Sequence, residues 1–402
     1  MNKKIHGASA PKTTAQSQMI LPLLEVLDAQ GGQAATTTIY DGVAERIGTD
    51  GDARTRRAPV GTSGQVINLF ERNVRWSQQL AKARGLIRPV EPRHWELTGK
   101  GRDALHMARP GTVITIFVTD HGVALYGRCE DAIGVVENGS VQLLLSSPPY
   151  PLLRKKRYGN QDAADYVDWL VEVARAWPEK LTPDGSIVLN LGDVWEQGRP
   201  TISLYQERLL VRLQDDLGLR LCQRFAWENP AKLPAPAEWV TIRRVRVKPS
   251  LEQVYWLSPH EHAYADNRAV LRPYSASMRG RLTAGGETGG KRPSGHQLNA
   301  GAFGSDNGGS IPGNLIQAAN TDSNDAYLRY CREHNLPVHP ARMPARLAEF
   351  LIRLTTRPED IVFDPFGGSL TTGAVAEALG RQWVSSETSL EYLLGARGRF
   401  TA

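Results

Sequence analysis

The chain has 402 residues, 41% of them hydrophobic and 7% aromatic, which describes an ordinary globular protein long enough for two domains. No run approaches the roughly 18 apolar residues of a membrane span, and the polar start "MNKKIHGASAPKTTAQ" lacks the apolar core of a secretory signal, so residues 1–15 read as a flexible arm. A net charge of +6 suits a polyanionic partner such as nucleic acid, although a mildly basic soluble protein would show the same balance.

Residues 16–108 read as a separate winged-helix module. Ile20, Leu23, Leu24 and Leu27 recur at the spacing of one helix face, and two glycines at 31–32 end that helix. "TIYDGVAERIG" predicts a second helix. "RNVRWSQQLAKARGLI" (72–87) predicts a third, with Val74, Leu80 and Ile87 inward and Arg72, Arg75, Lys82 and Arg84 outward. "RPVEPRHWELTGKGR" then reads as a hairpin with basic tips, and three helices followed by a hairpin is one form of helix-turn-helix. Between 52 and 102 there are eleven Lys/Arg against four Asp/Glu. Such a helix could follow phosphates into a major groove; a winged helix used for protein contact or dimerisation is the alternative. The stretch resembles the N-terminal winged-helix domain of Mrr-type restriction proteins.

From about 112 the pattern becomes α/β. "TVITIFV", "VQLLL" (141–145), "SIVLNL" (186–191), "QVYWL" (253–257), "IVF" (361–363) and "QWVSS" (382–386) are predicted strands. Tyr166, Trp169, Leu170, Val173 and Trp177 mark one intervening helix face, and Leu347, Phe350, Leu351 and Leu354 mark another. Apolar strands separated by such helices imply a mostly parallel sheet with helices on both faces, which binds ligands at the carboxyl ends of its strands. Residues 275–314 hold eleven glycines and few apolar residues, so they form either a substrate-contacting loop or a mobile linker.

Two strand ends carry chemistry. In "DIVFDPFGGSLTTGAVAEALGRQWVSSE" (360–387) a strand ends at Asp364, a turn with Gly367 and Gly368 follows, and Thr371 opens a helix. Such a turn lets backbone approach a ligand, and helix-start N–H groups favour an anion. Glu387, at the end of the next strand, is placed to bridge two ribose hydroxyls. At the other strand end lies Ser146-Ser147-Pro148-Pro149-Tyr150. Two prolines fix φ and remove two N–H donors, so the Ser147 hydroxyl and Pro148 carbonyl can face outward as acceptors beside the Tyr150 ring. Taken alone, it reads more readily as a Pro-Pro turn capped by a packed tyrosine, the commoner fate of such a stretch.

Together these segments resemble the DNA amino-methyltransferases, which methylate an exocyclic base nitrogen from S-adenosylmethionine. The family tetrapeptide (D/N/S)PP(Y/F/W) is matched by "SPPY" at 147–150, and its cofactor loop, close to DPFxGSGTT, by "DPFGGSLTT" at 364–372. The tetrapeptide precedes the loop, which is the order of the β class. "HPARMP" (339–344), "KRPSGH" (291–296) and "GGSIPGNLI" (308–316) also resemble members carrying SPPY. The resemblance covers 112–402 and implies a Rossmann-like methyltransferase fold with a target-recognition region at about 258–338. It implies catalysis by Ser147, Pro148, Pro149 and Tyr150, and S-adenosylmethionine held by Asp364, Pro365, Phe366, Gly367, Gly368, Ser369, Thr371, Thr372 and Glu387. There are two departures. Leu370 stands where the loop usually has its second glycine. Gly127-Arg128 stands where the family has Gly-Asp, so the adenine contact falls to a nearby acid, Glu130 or Asp131, and Asp131 is assigned to it.

The implied reaction is direct methyl transfer to an amine made nucleophilic by acceptors on its N–H groups, with the base flipped out of the duplex and stacked on Tyr150. Arg154, Lys155, Lys156 and Arg157 follow the elbow and are expected at phosphates, as are Lys291 and Arg292; a solvated charged loop is the bland alternative. The absence of a Pro-Cys pair argues against cysteine-dependent carbon-5 methylation. Ser at the first tetrapeptide position leans towards cytosine N4, with adenine N6 as the alternative. An inactive DNA-binding regulator and a methyltransferase for RNA or protein amides remain as other classes. Cys129, Cys222 and Cys331 are odd in number and far apart, which points to buried thiols in a reducing compartment rather than disulfides or a metal cage. The resemblance implies double-stranded DNA as partner, no membrane, and a cytoplasmic, nucleoid-associated protein of bacterial or phage origin. It leaves open a homodimer and a separate restriction endonuclease.

Overall fold

The computed structural model describes residues 19–47, 49, 51–60, 65–103, 105, 108, 110–151, 163–321 and 325–401. The arm 1–15 and the run Arg154, Lys155, Lys156 and Arg157 lie outside the described residues.

The N-terminal module holds the three expected helices, Ile20–Ala29, Thr36–Arg46 and Leu69–Ala83. Ile20, Leu23, Leu24 and Leu27 are all fully buried, as their spacing requires. Behind the helices lies an antiparallel sheet in the order Gln33–Ala35, His94–Leu97, Ile87–Glu91. A second hairpin, Arg57–Val60 with Gln65–Asn68, was not predicted. It leads into the long helix, whose cap residue Asn68 accepts a hydrogen bond from Glu71 N at 3.1 Å. Arg75 and Lys82 lie on the exposed face of that helix and Arg72 is half-buried. Arg84 does not join them. At the helix end its Nη1 donates to the Val113 carbonyl at 2.7 Å, and burial lowers its pKa, so it ties the module to the edge of the large sheet. A second tie runs from Ala108 N to the Thr388 carbonyl at 2.8 Å.

The large sheet has nine strands in the order Leu315–Gln317, Arg220–Glu228, Leu251–Ser258, Leu181–Leu191, Val141–Ser146, Ile361–Asp364, Gln382–Glu387, Gly122–Gly127, Val113–Val118. Its centre is parallel. Antiparallel pairings flank that centre on both sides. Side chains alternate between faces. Leu143 and Leu145 pack in one core with Leu347, Leu351 and the helix Ile20–Ala29. Leu144, Ile187 and Leu189 pack in the other with Tyr166, Leu170 and Leu209. The sheet is thus covered on both faces, and the first core runs unbroken into the N-terminal module. Three strands went unpredicted: Gly122–Gly127, Arg220–Glu228 and Leu315–Gln317. The glycine-rich 275–314 is also more ordered than its composition suggests, with a helix Ala276–Thr283 and a small ladder, Gly290–Lys291 on Gln297–Leu298.

Leu370 keeps the conformation expected of the glycine it replaces. Its φ is +53° and ψ +35°, in the left-handed region, while its side chain is fully buried in the first core. A non-glycine residue there costs about 1–2 kcal/mol; burying a leucine contributes about 2–5 kcal/mol. Burial outweighs strain. Leu370→Gly should therefore lower unfolding stability by a net of about 1–3 kcal/mol in denaturant melts. A gain in stability would show that strain dominates.

Candidate active site

The strands Val141–Ser146 and Ile361–Asp364 are parallel neighbours, so the elbow and the glycine turn leave the sheet side by side. Ser146 Oγ donates to Asp364 Oδ1 at 2.6 Å, and the same oxygen accepts from Phe366 N at 3.1 Å. Asp364 is buried, and burial raises its pKa against these bonds. The bonds lock the start of the turn to the start of the elbow.

A cavity of about 640 Å³ opens between the two segments, within the usual range of a small-molecule site. Ser147, Pro148, Pro149 and Tyr150 line one side; Asp364 to Ser369, Thr371, Thr372 and Glu387 line the other. Of the residues expected to hold catalysis or cofactor, Asp131 alone is absent from this wall. Its neighbour Glu130 lines the cavity instead. Burial would raise the Glu130 pKa, but Arg128, donating at 2.6 Å, holds it below the ordinary carboxylate range. Arg128 also lines the cavity, so the Gly127-Arg128 departure places an ion pair where the family has a single acid.

The glycine turn is built for close approach. A side chain on Gly368, whose φ is +54°, would meet the His339 ring at 3.1 Å, and one on Gly367 would meet Leu370 at 2.6 Å. Glu387 is 8% exposed, and its two oxygens accept from Gly368 N at 2.9 Å and Ser389 N at 2.8 Å. Burial raises its pKa despite these donors. Ser369 is held from behind by Arg399, whose Nε donates to its carbonyl at 2.7 Å.

The elbow belongs to a polar network that the sequence did not reveal. Tyr150 Oη donates to Glu252 Oε2 at 2.9 Å and lies 3.1 Å from Ser147 Oγ. Asn190 Nδ2 reaches Tyr150 Oη at 3.0 Å and Glu252 Oε2 at 3.1 Å. Lys232 Nζ donates to Glu252 Oε1 at 3.1 Å. Burial, with Glu252 adding to it, raises the Tyr150 pKa well above 10, so the phenol stays a neutral donor. Gly192 makes room for the ring, since a Cβ there would lie 2.6 Å from Tyr150 Cε2. Asn190 is 1% exposed, lines the cavity, and its Oδ1 has no partner among the described residues. An orphaned buried acceptor on a cavity wall is the mark of a site shaped for a ligand with donors.

The remaining expected contacts are dispersed. Lys291 is exposed, and Arg292 pairs with Glu287 at 2.6 Å. The segment after Ser258 starts at the far end of the sheet and returns along Ala226–Glu228 to the cavity, where Asn320 and Arg342 reach the wall. All three cysteines are free; Cys129 and Cys331 are buried as expected, but Cys222 is exposed because it lies in the solvent-facing first half of the strand Arg220–Glu228. Among the described residues no cluster of His, Cys, Asp or Glu could hold a metal, and no helix is long and apolar enough to cross a membrane.

A family profile described as DNA methylase matches residues 141–397, and one described as Mrr N-terminal domain matches 17–107. The chain is 42% identical over 286 residues to the Type II methyltransferase M.PvuII of Proteus hauseri, covering 71% of this chain and 85% of that protein. It is 25% identical over 287 residues to the Type II methyltransferase M.BglII of Bacillus subtilis, covering 71% and 70%. A solved structure, described as PvuII DNA methyltransferase (cytosine-N4-specific), superposes with a TM-score of 0.58 at 36% identity, covering 74% of this chain and 90% of that one. With elbow and glycine turn facing one cavity, and a profile match across most of the sheet, the chain belongs to the DNA methylase family.

Proposed function

We propose that the protein transfers a methyl group from S-adenosylmethionine to the exocyclic amine of a flipped base in double-stranded DNA, with cytosine N4 as the target. One observation carries this: acceptors and donors of the SPPY elbow share a single cavity with the DPFGGS turn. The cytosine assignment is supported by Ser147 and by the relative described as cytosine-N4-specific. The N-terminal module, with Arg72, Arg75 and Lys82 on its long helix, serves this reading as a winged-helix DNA-binding domain.

The residues present fit the cofactor. Glu387 would accept from the ribose hydroxyls, and the N–H groups at the start of the helix Thr371–Ala378 would face the carboxylate of the methionine end. Glu130, which lines the same cavity, would accept from the adenine amine. The cofactor supplies an electrophilic methyl on a sulfonium.

The chain's own work is to present acceptors to the amine. Tyr150 has one phenolic proton, and Glu252 takes it at 2.9 Å. Ser147 therefore donates either to Tyr150 Oη at 3.1 Å or to the Asn190 carbonyl at 3.3 Å. Either choice leaves a Ser147 lone pair to accept an amine N–H. The carboxylate of Glu252 sets the direction of the whole chain of hydrogen bonds. Acceptors on the N–H groups favour a pyramidal nitrogen, and the proton released after transfer has a path from Ser147 through Tyr150 to Glu252.

Labelled methyl transfer to duplex DNA tests this. Ser147→Ala should cut the single-turnover rate by about a hundredfold or more while cofactor affinity stays within a few-fold. Glu252→Gln should cut it about tenfold, also with cofactor affinity kept. Full activity in Ser147→Ala would sink the mechanism.

Cofactor affinity should also depend on pH through Glu387. Its raised folded-state pKa means that the native state holds the proton to higher pH than the unfolded chain does. The stability from that shift is present below the unfolded-state pKa and is lost as pH rises through the folded-state one. Cofactor binding has the opposite slope, because ribose hydroxyls donate best to the ionised carboxylate. Affinity should rise with pH above the ordinary carboxylate range. Glu387→Gln should flatten that rise and weaken binding about tenfold to a hundredfold in calorimetry. A pH step that survives in Glu387→Gln would assign it to another group.

A further inference from the structure

The loop 229–250 joins the strands Arg220–Glu228 and Leu251–Ser258. Glu228 pairs with Leu251, and Gln253 pairs with Leu191, so the loop leaves the sheet at the same end as the SPPY elbow. Its base is closed by Asn229 N donating to the Ser250 carbonyl at 2.8 Å. Asn229 and Lys232 line the catalytic cavity, so the loop rises directly from the cavity wall.

Its composition is unusual for a free surface. Lys232, Arg243, Arg244, Arg246 and Lys248 stand against the single acid Glu238. Arg243 is paired with Glu238, and Lys232 with Glu252. Arg246 and Lys248 donate from their charged heads to the carbonyls of Pro200 and Pro230, and neither has an acidic partner among the described residues. Arg244 is exposed. Among these cations stand bare apolar side chains: Leu233 is 78% exposed and Val247 87%. Leu233 directly follows the cavity-lining Lys232. Phosphates outside and an apolar base stack inside are the chemistry that answers such a surface.

We propose that the loop 229–250 grips duplex DNA at the flipped nucleotide. Arg244, Arg246 and Lys248 contact phosphates, and Leu233 enters the space that the flipped base leaves in the stack. This rests on the reading that the cavity acts on a base in double-stranded DNA. A flipped base leaves unstacked neighbours, and an apolar wedge covers them and holds the open state.

Two variants of the full chain test it, both with cofactor binding measured alongside. In the triple variant Arg244→Ala, Arg246→Ala, Lys248→Ala, the slope of log affinity against log salt for a short duplex should fall by about 3, one counterion release per lost contact. In Leu233→Ala, the single-turnover rate on a fully paired target should fall on the order of tenfold, and a mismatch opposite the target base should restore it, because an unpaired base flips more cheaply. Cofactor affinity should be unchanged in both. An unchanged salt slope would overturn the phosphate contacts. A Leu233→Ala loss equal on paired and mismatched targets, or no loss, would overturn the wedge. If the unaltered protein transferred no methyl to DNA, the reading of the cavity would fail, while the salt slope would still report on the loop.

Discussion

The site depends on one buried hydrogen bond, from Ser146 Oγ to Asp364 Oδ1 at 2.6 Å. It joins the ends of two neighbouring parallel strands, where one chain segment becomes the elbow and the other the glycine turn. Both partners are buried, so water does not compete for the bond. The elbow and the glycine turn both hang from these two strand ends. Methyl transfer needs donor and acceptor in line, and a rigid joint between their holders supplies most of that order.

Around this joint the family pattern is kept where backbone matters and altered where side chains do. Leu370 takes up the left-handed conformation that a glycine would adopt freely, and spends its side chain on the core. Arg128 stands in place of an acid, yet pairs with Glu130 on the cavity wall. Neither departure closes the cavity, so neither supports an inactive regulator. On the elbow side, Glu252 on a flanking strand fixes the Tyr150 hydroxyl and through it Ser147.

Much of this was legible in sequence because the chemistry is local. The strand before SPPY, the strand before DPFGGS and the helix after it are contiguous motifs, and Glu387 follows at the end of the next strand. Asn190 and Glu252 were missed because strand pairing, parallel for the first and antiparallel for the second, brings them to Tyr150 from 40 and 102 residues away, and Lys232 joins only through Glu252. A polar residue at the carboxyl end of "SIVLNL" was the available signal for Asn190. The strand Arg220–Glu228 was hidden because its exposed first half mixes charged and apolar residues without a clear alternation, and Leu315–Gln317 because it is only three residues long. Arg84 was misassigned because helix periodicity gives its outward direction but not the neighbouring domain that it meets.

The most direct test is the identity of the methylated nucleoside. Duplex DNA treated with the protein and S-adenosylmethionine, digested and separated by mass spectrometry, should yield N4-methylcytosine. N6-methyladenine would keep the amine chemistry and overturn the choice of base. 5-Methylcytosine, or label found only in RNA or protein, would contradict the account of the site.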